Sequence, residues 1–327
     1  MSELDYLAPC PEFDQNFLGA LAESAQNEMS RHRAERKEWN YHDTLTREKI
    51  AELAELPPIE VDDAVRYIYL GNLAVEKGHA EYDRITSDVF EQNPVFREWK
   101  NTWVAEEEPH GDAMLQWAKI SGMWDGQTMH NISQGYIKHG SSLAFYDAAT
   151  GLAYPAFQEI ATRLTHKAVK DLLPPEAKEG KIILAKIIGD EERHERFYAN
   201  MVRHGLHNGD TAIASHQMRG VARALLGFRM PGMEDDIPEA DRKRINSAYK
   251  TTGAFTIHKL VKTVLLPVII GKGSFEWDIQ NVEDLDYTGR LAQQRIIKFV
   301  DDTEKIGNSE LRSGGLILKN RKEVSLK

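Results

Sequence analysis

The chain has 327 residues, enough for a large core in one domain or two, and its 51 acidic side chains outnumber 41 basic ones for a formal net charge of −10. That balance excludes wholesale nucleic-acid binding, which needs a basic face. The single cysteine, Cys10, excludes an internal disulfide and Cys-rich iron–sulfur ligation, and suits a reducing cytoplasm.

In chain order, the acidic start lacks the basic and apolar regions of a secretory signal, so no export is expected. Apolar residues then recur at three- and four-residue spacings and strict alternation is scarce, which predicts an all-α protein. Helices are expected near 12–37, 61–92, 95–121, 127–168 with a break near Gly140, 175–206, 211–228, 239–271 and 288–306. Proline marks the breaks at Leu56-Pro57-Pro58, Leu173-Pro174-Pro175, Met230-Pro231-Gly232 and Ile237-Pro238. The longest apolar run, Val264 to Ile270, is too short for a membrane span and holds Pro267. From Gly307, through Ser313-Gly314-Gly315 to the basic Lys319-Asn320-Arg321-Lys322, the tail reads as irregular or short extended chain.

One arrangement occurs twice. Glu76 precedes the box Glu107-Glu108-Pro109-His110, and Glu159 precedes Glu191-Glu192-Arg193-His194 at nearly the same offset. Helical residues three apart share a face, so each box aims a carboxylate and an imidazole at one point. Four helices would then offer four carboxylates and two imidazoles, the ligand set of bundled di-iron and di-manganese carboxylate proteins. The flanks are apolar, with Trp103, Met114 and Trp117 around the first box and Ile187, Ile188, Phe197 and Tyr198 around the second. A single such box arises by chance on solvated helices, and Glu76-Lys77-Gly78-His79 is taken as an incidental third. The doubled pattern is specific because ionised carboxylates are rarely buried unless paired or bound to metal.

The same segments resemble the soluble acyl-carrier-protein desaturases of plant plastids and actinobacteria. The carrying stretches are Trp103-Val104-Ala105-Glu106-Glu107-Glu108-Pro109-His110-Gly111-Asp112, Phe157-Gln158-Glu159-Ile160-Ala161-Thr162 and Asp190-Glu191-Glu192-Arg193-His194, and the likeness is strongest over about 60–205. It implies a ferritin-like four-helix-bundle core with additional helices. One domain would cover 1–327, with a metal-binding core at about 61–206 and C-terminal helices and tail at about 207–327. Two iron ions per chain are implied, held by Glu76, Glu107, His110, Glu159, Glu191 and His194, with Glu107 and Glu191 bridging and O₂ as co-substrate. Thr162 takes the place of a threonine implicated in handling oxygen and its protons, and Trp39, Asp190 and His110 match a route for electrons from the surface. Ile85, Val89, Ala144, Gly151, Leu152 and Tyr154 fall where the family lines its acyl-chain cavity; as isolated residues they read as bundle core. The implied partners are an acidic acyl carrier protein, a ferredoxin-type electron donor and a second copy in a homodimer, all in the cytoplasm. Arg33, Arg36 and Lys37, in the basic run before Trp39, are the candidate carrier-docking face.

Removing hydrogens from adjacent unactivated methylenes needs a strong oxidant, and two carboxylate-bridged irons can share the reduction of O₂. Carboxylates and imidazoles tolerate both ferrous and ferric iron, whereas thiolates would themselves be oxidised. One position departs from the family: Pro109 stands where an arginine is usual. Proline removes the amide bond to Ala105, so a kink or bulge is expected at the ligands. A hydroxylase acting on a carrier-bound chain is the alternative enzyme reading, and ferritin-like iron storage or peroxide detoxification the non-enzymatic one.

Overall fold

The computed structural model describes residues 5–125, 127–128, 131, 145–228, 238–270 and 277–313. Helices begin where a short polar side chain can accept from the first free amides. Asn40 precedes α2 (Tyr41–Thr44), Thr46 precedes α3 (Arg47–Ala54) and Asp62 precedes α4 (Asp63–Glu76), each accepting a backbone N–H of its own first turn. Asn93 does the same for α6 (Pro94–Ile120), which also has proline at its first position, and Asp147 for α7 (Ala148–Leu172). Asp210 caps α9 (Thr211–Leu226). The remaining helices are α1 (Asp14–Glu35), α5 (His79–Phe90), α8 (Lys178–His207), α10 (Glu239–Thr252), α11 (Ile257–Leu260), α12 (Leu266–Ile270) and α13 (Tyr287–Ser313). Among the described residues there is no β-strand.

Several boundaries differ from the expected ones for local reasons. The helix expected over 61–92 breaks after Glu76, where the Gly78 amide reaches back only to the Val75 carbonyl before α5 begins. Glycine is a poor helix former, and the apolar period continues across the break, hiding it. The helix expected over 239–271 ends at Gly253, which adopts φ +65° in the left-handed region, and restarts after Thr256 caps α11. A π turn, Val261–Leu265, joins α11 to α12 just before Pro267, whose ring nitrogen cannot donate to the preceding turn. The short helices α2 and α3 bury no residue and carried no apolar period to reveal them. The last helix runs past Gly307 to Ser313. The expected break near Gly140 lies outside the described residues.

Four helices close a ring: α4 packs on α6, α6 on α8, α8 on α7 and α7 on α4. Around it, α1 lies against α6, α7 and α8, α5 against α6 and α7, α9 against α7 and α8, and α10 against α4. Along the bundle, apolar side chains form two separate clusters. Trp99, Trp103, Phe157, Phe197 and Tyr198 belong to one, and Leu73, Met114, Trp117, Val169 and Ile187 to the other. The six expected ligands fall between them on all four helices. A polar band is therefore enclosed by hydrocarbon at both ends, the low-dielectric setting in which buried carboxylates need a counter-charge.

No single helix among the described residues is long and apolar enough to cross a membrane.

Candidate metal centre

Each ring helix contributes to one buried cluster. Glu76 comes from the last turn of α4, Glu107 and His110 from α6, Glu159 from α7, and Glu191 and His194 from α8. Potential ligand atoms of Glu76, Glu107, His110 and Glu191 lie within 4.8 Å of one another, and so do those of Glu107, Glu159, Glu191 and His194. Glu107 and Glu191 are common to both groups, the geometry of carboxylates that bridge two metal positions.

The atoms facing this centre lack other work. Glu107 Oε1, His110 Nδ1, Glu159 Oε2, Glu191 Oε1 and His194 Nδ1 are buried with no hydrogen-bond partner. His194 Nδ1 stands 2.8 Å from Glu107 Oε1, and His110 Nδ1 is 3.3 Å from Glu107 Oε2, 3.4 Å from Glu76 Oε2 and 3.8 Å from Glu191 Oε1. The His194–Glu107 pair is close yet does not meet hydrogen-bond geometry.

Protonation follows from this crowding. Burial, reinforced by the charges of Glu107 and Glu159, pushes the Glu191 carboxyl well above the usual range, and burial raises Glu159 as well. Burial opposes charge on His110 and His194, yet the carboxylates around them hold both imidazoles protonated far above their ordinary value. Burial would also raise Glu76, but His166 and His110 bring it down to about 2. Four carboxylates and two imidazoles buried around one point need compensating positive charge, which protons or two divalent cations can supply, so the donor set fits a dinuclear site.

A set of outer partners orients these groups. Asp190, directly before Glu191, accepts from His110 Nε2 at 3.0 Å, although His110 belongs to the other box. Glu106, directly before Glu107, likewise accepts from His194 Nε2 at 2.9 Å. The two boxes therefore steady each other's histidines, and fixing Nε2 as donor leaves Nδ1 free to face the centre. Trp39 donates to Asp190 at 2.7 Å and lies nearly parallel to His110, with ring centroids 6.1 Å apart. Trp103 donates to Glu159 Oε1 at 3.1 Å, and His166 Nε2 lies 2.7 Å from Glu76 Oε1. The Thr162 hydroxyl is 2.8 Å from Glu191 Oε2 and 3.1 Å from the Gln158 and Glu159 carbonyls, so its one hydrogen chooses between ligand and helix backbone.

Glu106, His32, Arg36 and His166 were not foreseen in these roles. His32 is buried and sits 2.9 Å from Glu106 Oε1, and Arg36 Nε reaches the same oxygen at 2.9 Å. The acidic residue directly before each ligand glutamate was the visible signal for Glu106; His32, Arg36 and His166 come from distant segments. Arg36, a candidate for the carrier-docking face, is half-buried and lies between Glu106 and the exposed Glu38. Arg33 pairs with Glu98 at the surface, and Lys37 is exposed.

Ile85, Val89, Leu152 and Tyr154 pack within the apolar cluster that contains Trp103 and Phe157. Gly151 lies against Val89, whose Cγ2 would be 2.8 Å from an added Cβ, so its bareness serves the crossing of α7 with α5. Ala144 lies outside the described residues. Of the expected kink or bulge at Pro109, inside α6, the bulge is not formed, because the helix passes through with no change of helical type. Ala105, whose carbonyl loses its partner, is exposed, so water can take the place of the missing amide.

The profile of the fatty acid desaturase family matches residues 14–324. The chain belongs to the acyl-carrier-protein desaturase family. It is 24% identical over 307 residues to DesA1 of Mycobacterium tuberculosis, described as an acyl-[acyl-carrier-protein] desaturase, spanning 89% of this chain and 86% of that protein. It is 25% identical over 253 residues to the chloroplastic stearoyl-[acyl-carrier-protein] 9-desaturase of Olea europaea, covering 72% and 61% of the two chains. The solved structure of DesA2 from Mycobacterium tuberculosis shares the fold with a TM-score of 0.50 and 18% identity over 73% of this chain and 88% of that one. The chain is therefore an enzyme of this desaturase family, whose members use a di-iron centre, and its two buried groups of carboxylates and imidazoles fit one.

Proposed function

We propose that this enzyme uses O₂ and two bound irons to introduce a double bond into an acyl chain carried on acyl carrier protein. The observation that carries this reading is the pair of ligand groups sharing Glu107 and Glu191, buried between two apolar clusters. Glu76, Glu107, His110, Glu159, Glu191 and His194 would hold the irons, which when bound supply the reduction of O₂ and the oxidising power that saturated carbon requires. The protein's own groups do the rest. Its apolar cluster around Ile85, Val89, Leu152 and Tyr154 offers the hydrocarbon surroundings an acyl chain needs and excludes water. The Thr162 hydroxyl, within hydrogen-bond distance of Glu191, is placed to hold or pass a proton beside the centre. Trp39 and Asp190 make a contiguous contact from the half-buried indole to His110, along which electrons from a ferredoxin-type donor would enter.

Docking of an acidic carrier would fall to Arg33, Arg36 and Lys37, of which Arg36 also pairs with the buried Glu106. Reversing Arg33 and Lys37 to Glu should raise KM for the acyl-carrier substrate, and added salt should do the same to the parent enzyme, because surface charges are screened over roughly 8–10 Å at physiological ionic strength. The whole chain would act as one domain, as a homodimer in the cytoplasm. Co-expression with acyl carrier protein followed by mass spectrometry of the acyl products tests the function. An alkene product is expected; a hydroxylated chain would move the assignment to a hydroxylase, and rapid mineralisation of iron with no acyl turnover would move it to storage.

A further inference from the structure

Glu76 and Glu159, one on each side of the centre, each give one carboxylate oxygen to a nitrogen donor and turn the other inward. For Glu159 the donor is the indole of Trp103, 3.1 Å from Oε1. For Glu76 it is His166, and this histidine is only the first link of a chain. A carboxylate oxygen accepts and never donates, so the hydrogen in the 2.7 Å contact between Glu76 Oε1 and His166 Nε2 belongs to the imidazole. Asn72 presents its amide nitrogen to His166 Nδ1 at 3.2 Å, which makes that ring nitrogen the acceptor. The Asn72 carbonyl oxygen in turn accepts from the Tyr249 hydroxyl at 2.7 Å. Every donor thus points toward Glu76, and the polarity is fixed from the carboxylate end. Glu76, His166 and Asn72 are buried, while Tyr249 is half-buried on α10, outside the four-helix ring. Burial pushes the Tyr249 hydroxyl up, so it keeps the proton it donates.

The backbone makes room for this link. A Cβ on Gly71, in α4, would stand 2.9 Å from Ile245 Cγ2 and 3.2 Å from the Tyr249 hydroxyl, so only glycine lets α10 approach this closely.

We infer that Tyr249, with Asn72 and His166, forms a positioning chain that ties α10 to Glu76, restricts Glu76 to one inward-facing oxygen, and makes the metal position on the Glu76 side unlike the one on the Glu159 side. This rests on the six-residue ligand set proposed above.

The test uses the full chain loaded with Co(II), whose visible ligand-field bands report coordination, and with Fe(II) for affinity by chelator competition. The parent protein should bind two cobalt ions per chain. In Tyr249→Phe both should remain, with the bands of one cobalt shifted, and Gly71→Ala should give the same shift by displacing the hydroxyl. His166→Gln should weaken one of the two metals by about 10–100-fold, the range for loss of an outer-shell partner. Trp103→Phe should perturb the other cobalt. Bands and affinities in Tyr249→Phe identical to the parent, with only a lowered melting temperature, would make the chain a packing feature and overturn the inference. A parent protein that binds no pair of metals would instead overturn the ligand set itself.

Discussion

At the scale of single residues, the buried clustering of the six proposed ligands was legible because helical periodicity turns a three-residue spacing into a shared face, and because the pattern occurs twice. Its supports were legible only in part. Asp190 and Glu106 each sit directly before a ligand glutamate, one position round the helix, and each reaches the histidine of the opposite box. The acidic doublets were in view, but which histidine each would hold depends on how α6 and α8 face each other, and sequence spacing along one helix cannot supply that. His166, His32 and Arg36 come from still further away, and as isolated residues they carry no mark of their role. Two consequences follow from the geometry. Because Glu107 and Glu191 belong to both ligand groups, Glu107→Ala or Glu191→Ala should deplete both metals, whereas Glu159→Ala should deplete mainly one; iron analysis after anaerobic reconstitution distinguishes these outcomes. Glu106→Gln and Asp190→Asn should each reduce metal affinity by about 10–100-fold while leaving stoichiometry at saturating metal intact, since each removes an orienting charge and leaves all six ligands in place.

At the scale of helices, the long ligand-bearing elements followed from apolar periodicity, and the breaks did not. Gly78 and Gly253 interrupt helices whose apolar period runs on, and their effect lies in the backbone, which hydrophobic spacing does not report. Pro109 shows the converse. Pro109 lies inside α6, which continues through it as α-helix beside the exposed Ala105, so its cost is expected to fall on stability and to spare the placement of Glu107 and His110. Pro109→Arg should therefore keep both irons and raise the unfolding free energy, by no more than about 3 kcal/mol, the penalty of proline in a helix interior. Chemical denaturation checks the stability. Loss of iron would show the site to depend on the proline. A second element-scale test lies in the close pass of α8 over α6. A Cβ at Gly180 would come within 2.4–2.8 Å of the buried Trp117 indole, a rigid ring with no free end to swing away. Gly180→Ala should destabilise the protein by about 1–3 kcal/mol through overpacking, read as a lowered denaturation midpoint with an unchanged slope.

At the scale of the molecule, the ring of ligand helices is held to its surroundings by a buried ion pair remote from the metal centre. Asp147 caps α7 by accepting from the Thr150 amide at 2.9 Å and the Thr150 hydroxyl at 2.7 Å, and it accepts from the Cys10 amide at 3.2 Å. It also pairs with Arg223 of α9, which donates to the Leu7 and Ala8 carbonyls at 3.2 and 3.3 Å. One carboxylate thereby joins the N-terminal segment, α7 and α9. Burial would raise the Asp147 carboxyl, but the Arg223 charge and the Thr150 bonds outweigh it and hold it below the usual 3.8. The sign of the pH effect is then fixed. The unfolded chain takes up this proton first, so the stabilisation is complete above the unfolded value of about 3.9 and is lost as pH falls through the lower folded value. Asp147→Asn removes that linkage and leaves Arg223 buried beside a neutral amide. The variant should be less stable at neutral pH by about 3–5 kcal/mol, the cost of breaking a buried pair from one side. Below about pH 4 its stability should fall less steeply than that of the parent, so that the two curves converge in acid. Urea unfolding of the metal-free proteins across pH 3–7 measures this directly. Parallel curves over that range would mean that Asp147 keeps its ordinary affinity for a proton in the folded protein and that the three segments are held together by other contacts.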